Sequence, residues 1–129
     1  MPPSYKFYHL HLLSRDPKAT AQYYHKMFDA KILETVQADG KPRVDLDLQG
    51  LPIFILRVAP EEKIPASPPG PYLGLDHFGL LVDNLEEAAA ELKRRGAEFA
   101  VEPHAIRPGV KIAYVRGPEN VRIELVERA

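Results

Sequence analysis

Five histidines occur in the chain, and two of them, His9 and His11, stand two apart in the apolar run "FYHLHLL". Imidazoles in such a run can be core residues satisfied by a local hydrogen bond. They can also face a cavity, where they would ligate a metal or carry a proton. The second half of the chain repeats the feature. "HLHLLSRDPKATAQYYHK" from His9 and "HFGLLVDNLEEAAAELKR" from His77 align histidine with histidine, and both place a polar helix cap seven positions later, at Asp16 and Asn84. The offset of 68 residues is about half the chain, which predicts two related halves.

Each half reads as strand, helix, then three strands. In the first, residues 5–13 alternate as a strand, and Asp16 caps a helix with Pro17 in its first position. Ala21, Tyr24, Met27 and Phe28 supply the apolar stripe of that helix. A strand at about 31–37 ends in "ADGKP", and a hairpin follows, "RVDLDL" and "LPIFILRV", turning at Gln49-Gly50. In the second half Asn84 caps a helix that buries Leu85, Ala88, Ala89 and Leu92 and stops at Gly96. A strand near 98–102 precedes the closing hairpin, "VKIAYVR" and "VRIELVE" around "GPEN". The predicted organisation is one domain over 1–129, with module one at about 5–58 and module two at about 75–128. The proline-rich stretch between them, about 59–74, cannot form a regular element.

Strand alternation then assigns faces. Leu10 and Leu12 should pack under the first helix, leaving His9 and His11 on the opposite side. Phe78, Leu80 and Val82 should pack under the second helix, with His77, Gly79 and Leu81 opposed. In the last strand Ile123 and Leu125 pack, so Arg122, Glu124 and Val126 oppose them. His9, His77 and Glu124 therefore share the kind of sheet face that helices leave uncovered. Two imidazoles and a carboxylate from three strands can hold Fe(II), Mn(II), Zn(II) or Ni(II) with open positions. His11 faces the same way, either to act on a substrate as an acid–base group or to line the face. Asp45 and Asp47 should look toward that side near Arg57, as a base and substrate contacts or as a salt bridge closing the hairpin. Arg122 could bind a substrate carboxylate, whereas Arg116 reads as part of a solvated strand face.

Composition bounds the remaining classes. Seventeen basic residues against 18 acidic leave no electrostatic footprint for nucleic acid. No apolar run approaches the length of a membrane span, and no secretory signal is legible, so a cytoplasmic protein is expected. The chain has no cysteine, hence no disulfide, thiolate ligand or cysteine nucleophile.

The paired openings and the closing "GPENVRIELVE" resemble the vicinal oxygen chelate superfamily. It includes glyoxalase I, methylmalonyl-CoA epimerase, fosfomycin-resistance transferases, extradiol dioxygenases and bleomycin-resistance proteins. The resemblance covers nearly the whole chain and implies an α+β fold, two tandem βαβββ modules forming a cup-shaped eight-stranded mixed sheet. It carries over His9, His77 and Glu124 as ligands of one divalent metal ion, with Fe(II) the first choice. Aligning "IFIL" with "RIEL" puts Ile55 at the place of Glu124, so the first-module glutamate of glyoxalase I is missing. Likeness to extradiol dioxygenases further suggests His104, read as a loop residue before the seventh strand, and Tyr114, ten residues before Glu124, as catalytic groups beside His11 and Asp47. Asn120 stands where relatives place glycine, and asparagine tolerates the left-handed conformation that such a turn needs. The implied activity is metal-dependent lyase, isomerase or ring-cleaving chemistry on a small molecule that chelates through adjacent oxygens. The alternative is a non-catalytic binder of bleomycin-resistance type. A homodimer is implied as well.

Overall fold

The computed structural model describes residues 2–129. The elements are β1 (Leu10–Ser14), α1 (Pro17–Phe28), β2 (Lys31–Val36), β3 (Pro42–Leu48) and β4 (Leu51–Arg57). They continue as β5 (Phe78–Leu81), α2 (Leu85–Arg94), β6 (Glu98–Arg107), β7 (Val110–Arg116), a 3-10 turn (Pro118–Asn120) and β8 (Arg122–Arg128). The order βαβββ thus occurs twice. It falls into two compact units, Met1–Ile64 and Pro65–Ala129, whose boundary lies in the irregular proline-rich connector. Each unit holds one four-stranded mixed sheet, ordered β1-β4-β3-β2 in the first and β5-β8-β7-β6 in the second.

Helix ends follow the sequence signals. Asp16 Oδ1 accepts the Ala19 N–H at 3.1 Å, and Asn84 Oδ1 accepts the Glu87 N–H at 3.0 Å. Asn84→Ala removes that acceptor and is expected to cost about 1 kcal/mol in urea unfolding. In the first unit α1 lays Ala21, Tyr24 and Met27 over Leu46, Leu48, Ile53 and Ile55, all buried. In the second, Leu85, Ala89 and Leu92 of α2 cover Ala113, Val115, Ile123 and Leu125.

Tyr24 is wholly buried, and its hydroxyl has no hydrogen-bond partner among the described residues. Desolvation, with Tyr23 adding to it, pushes this phenol well above its ordinary range. A phenol whose folded pKa lies above its unfolded value of about 10 stabilises the fold below that pH and loses the contribution as pH climbs past it. Tyr24→Phe removes both the unsatisfied hydroxyl and the titration. It should raise stability by about 1 kcal/mol at neutral pH and flatten the alkaline fall in melting temperature.

Two expected boundaries shift. β1 begins at Leu10 rather than at residue 5, so His9 directly precedes its strand, just as His77 directly precedes β5. β6 runs on to Arg107, through Pro103, which puts His104 inside a strand and not in a loop. Proline survives there because β6 is an edge strand with irregular register against β7, and a bulged edge does not need every N–H. The closing turn holds Asn120 at φ +62°, the left-handed conformation expected of it.

Candidate functional site

The second unit assembles its site from the parallel pair β5–β8 and the neighbouring β7. Gly79 stands opposite Glu124, and Tyr114 stands opposite Glu124 from the other side. Residues paired in this way share a face, and Ile123 and Leu125, fully buried under α2, take the other. Glu124 and Tyr114 are therefore presented away from the helix, with His77 at the mouth of β5. A Cβ placed on Gly79 would meet Glu124 Oε1 at 3.5 Å, so glycine leaves the space beside that carboxylate open.

Both ring nitrogens of His77 have polar neighbours. Its Nδ1 lies 2.7 Å from Asp76 Oδ2, and its Nε2 lies 3.3 Å from Glu124 Oε1 and 3.5 Å from the Tyr114 hydroxyl. The hydrogen bond from His77, helped by the neighbouring Arg122 guanidinium, holds the Asp76 carboxyl below the usual carboxylate range. Arg122 Nη1 donates to the same Asp76 Oδ2 at 2.7 Å, and the guanidinium lies 4.6 Å from the centre of the Tyr114 ring. Desolvation, with the Glu124 carboxylate next, raises the Tyr114 phenol and keeps its proton in place.

This arrangement has a chemical consequence. With Nδ1 donating to Asp76, a neutral imidazole presents a bare lone pair at Nε2, facing a carboxylate oxygen that is also an acceptor. Two acceptors 3.3 Å apart repel unless a proton or a cation lies between them. Donors about 2.0–2.2 Å from one ion at right angles stand roughly 3 Å apart, so the pair has the spacing of adjacent ligands. Imidazole nitrogen with carboxylate oxygen fits a borderline divalent cation. Among the described residues, no group of three or more His, Asp or Glu is gathered closely enough to form a complete metal cluster.

The first unit presents aromatic chemistry at the matching position. His9 lies 4.6 Å from Phe54 and 4.8 Å from Tyr8, ring centre to ring centre, with His11 at 6.3 Å. His11 pairs with Phe54 in the β1–β4 ladder, as Gly79 pairs with Glu124 in the β5–β8 ladder. Register therefore makes Phe54, and not Ile55, the counterpart of Glu124. Ile55 is buried beneath α1. The expected absence of a carboxylate holds, but its residue shifts by one.

Other expected groups are placed differently. Asp45 is buried on β3; its Oδ2 receives Arg43 Nε at 2.8 Å and its Oδ1 the Ile55 N–H at 3.0 Å. The hairpin salt bridge thus uses Arg43, which also lies 5.2 Å from the Phe54 ring centre. Arg57 alternates with Ile53 and Ile55, so it takes the face opposite Phe54 and cannot share the side of Asp45. Asp47 Oδ1 accepts the Gly50 N–H at 2.7 Å and closes the β3–β4 turn. His104 is exposed on β6, its Nδ1 3.0 Å from the Glu102 carbonyl oxygen. Arg116 is bonded to Asn120 rather than solvated along the strand. Asp76 was not among the residues singled out by pattern, although its place immediately before His77 was a usable signal.

Comparison with known proteins agrees with this architecture. The family model described as Glyoxalase/Bleomycin resistance protein/Dioxygenase superfamily matches residues 6–125. A glyoxalase family protein from Enterococcus faecalis superposes with a TM-score of 0.72 at 26% identity, covering 95% of this chain and 97% of that one. A glyoxylase/bleomycin resistance protein/dioxygenase domain from Frankia sp. EAN1pec gives 0.76 at 21% identity, covering 98% and 100%. A protein described as "Probable lactoylglutathione lyase, chloroplastic" from Arabidopsis thaliana is 32% identical over 56 residues, which span 43% of this chain but only 16% of that relative.

Proposed function

Because the chain belongs to the glyoxalase/bleomycin resistance protein/dioxygenase superfamily, we propose that it is a divalent-metal enzyme acting on a small molecule with two adjacent oxygens. Members of this family generally use a divalent metal, bind small-molecule substrates and often form dimers. His77 and Glu124 are two ligands in this reading. His9, which holds in the first unit the sequence position of His77 in the second, is the third. The bound cation would act as a Lewis acid toward the chelated oxygens. The observation that supports the reading best is the 3.3 Å separation of His77 Nε2 and Glu124 Oε1, the spacing of adjacent ligands of one cation.

The chain's own residues supply the rest. Tyr114 keeps its proton and hydrogen-bonds a substrate oxygen as negative charge builds on it. Glu124 and His77 fix where that oxygen lies. In lyase or isomerase chemistry His11 would serve as a proton carrier, and ring cleavage would add molecular oxygen as co-substrate. A homodimer and a small-molecule ligand complete the proposal.

The second reading is ligand sequestration without catalysis. Its support is the ring cluster of Tyr8, His9, His11 and Phe54, with Phe54 where the second unit has a carboxylate. One experiment separates the two. Protein purified without chelators is analysed for metal. It is then reconstituted anaerobically with Fe(II), Mn(II), Zn(II) or Ni(II) and offered catechols, 2-oxoaldehyde–thiol adducts and epimerisable thioesters. Stoichiometric metal with turnover of one class supports the enzyme. Metal-free protein that binds planar aromatics without turnover replaces it with the binder.

A further inference from the structure

The placement of Asp76 carries an inference about how His77 is prepared. An imidazole at the end of a short strand can rotate about its Cβ–Cγ bond and exist in either neutral tautomer. Only the form with its proton on Nδ1 leaves Nε2 free to ligate toward Glu124. Asp76 is the neighbour in sequence, its carboxylate reaches back to Nδ1 at 2.7 Å, and the oxygen that does so, Oδ2, is itself pinned by Arg122 Nη1 at 2.7 Å. Arg122 comes from β8, two residues before Glu124 on the same strand face, and its guanidinium also lies over Tyr114. One strand therefore delivers Glu124 on one side of the imidazole and the anchor of Asp76 on the other.

We infer that Asp76 is a positioning residue: anchored by Arg122, its carboxylate sets His77 in the Nδ1–H tautomer and aims Nε2 at the Glu124 oxygen. The role expected of Arg122 changes with it. A guanidinium committed to Asp76 and stacked on Tyr114 organises the site from behind instead of clamping a substrate carboxylate. The inference rests on the reading of His77 as a metal ligand for its purpose, but the hydrogen-bond geometry stands apart from any ion. Outer carboxylates of this kind orient a ligating imidazole and raise its basicity, and their loss costs roughly 10–100-fold in metal affinity.

The test has two readouts. Long-range nitrogen–proton NMR correlations of the metal-free protein at pH 8.5, about two units above the ordinary imidazole pKa, report the tautomer of His77 directly. Zinc titration by calorimetry reports affinity. In the wild type His77 should be the Nδ1–H form. Asp76→Ala should give a tautomer mixture and weaken zinc about 10–100-fold. Asp76→Asn, whose amide oxygen can still accept, should recover part of both, and Arg122→Gln should produce a smaller shift in the same direction. A wild-type His77 protonated on Nε2, or an Asp76→Ala protein with unchanged tautomer, overturns the inference. A wild type with the expected tautomer that binds none of Zn(II), Fe(II), Mn(II) and Ni(II) overturns the metalloenzyme reading and leaves the positioning intact. The Asp76 side chain is one-third exposed, so neither substitution threatens the fold.

Discussion

Glu124→Gln is expected to yield a folded protein that no longer holds a divalent cation. The carboxylate is the charged member of the proposed ligand set, and an amide in its place is a poor ligand for a borderline cation. Affinity should fall by more than the roughly 10–100-fold that loss of an outer partner costs, and His77→Ala should do the same. His9→Ala tests the third ligand by the same titration. His104→Ala is the control, because His104 sits exposed on β6 against a backbone carbonyl. Without metal, Glu124→Gln should keep or slightly raise the melting temperature, since an amide N–H can donate to His77 Nε2 where the carboxylate oxygen could only oppose it. Calorimetric titration and thermal melts on the same samples check both halves. Metal bound equally well by Glu124→Gln and the wild type would falsify the ligand assignment.

One residue earlier on the same strand the expected effect is on stability. Ile123 is wholly buried beneath α2, and Ile123→Ala should cost about 2–5 kcal/mol, read from denaturant midpoints at constant slope. The contrast between the two adjacent residues follows from pleating: successive side chains point to opposite faces, so one strand serves core and site at once. A one-residue slip of β8 would bury Arg122 and Glu124 and expose Ile123 and Leu125, which is why register here is strongly specified. A loss under about 1 kcal/mol for Ile123→Ala would mean that α2 does not rest on this face.

The two units show how one plan can carry unlike chemistry. Gly79 opposite Glu124 leaves a carboxylate room, while His11 opposite Phe54 fills the same rung with two rings. The element order and the helix N-caps are equivalent, and these four side chains differ. Chemistry on such a scaffold is decided by side chains grafted on the face that the helix leaves uncovered.

Local signals determined most of the plan. The repeated histidine-to-cap spacing, Pro17 and Asn84 at helix starts, Gln49-Gly50 at a turn and strict alternation along 122–126 are short-range properties, and they predicted both modules and the face of Glu124. Register was not legible. Which rungs flank Glu124, and whether Phe54 or Ile55 holds the corresponding place in the first unit, depend on how strands slide against one another. A slide by one residue leaves every local pattern intact. Pro103 concealed the length of β6 for a related reason, since only an irregular edge lets a proline stay in a strand. The Arg122–Asp76–His77 chain joins residues 46 apart through side-chain tips, a contact that exists only once β5 and β8 lie side by side.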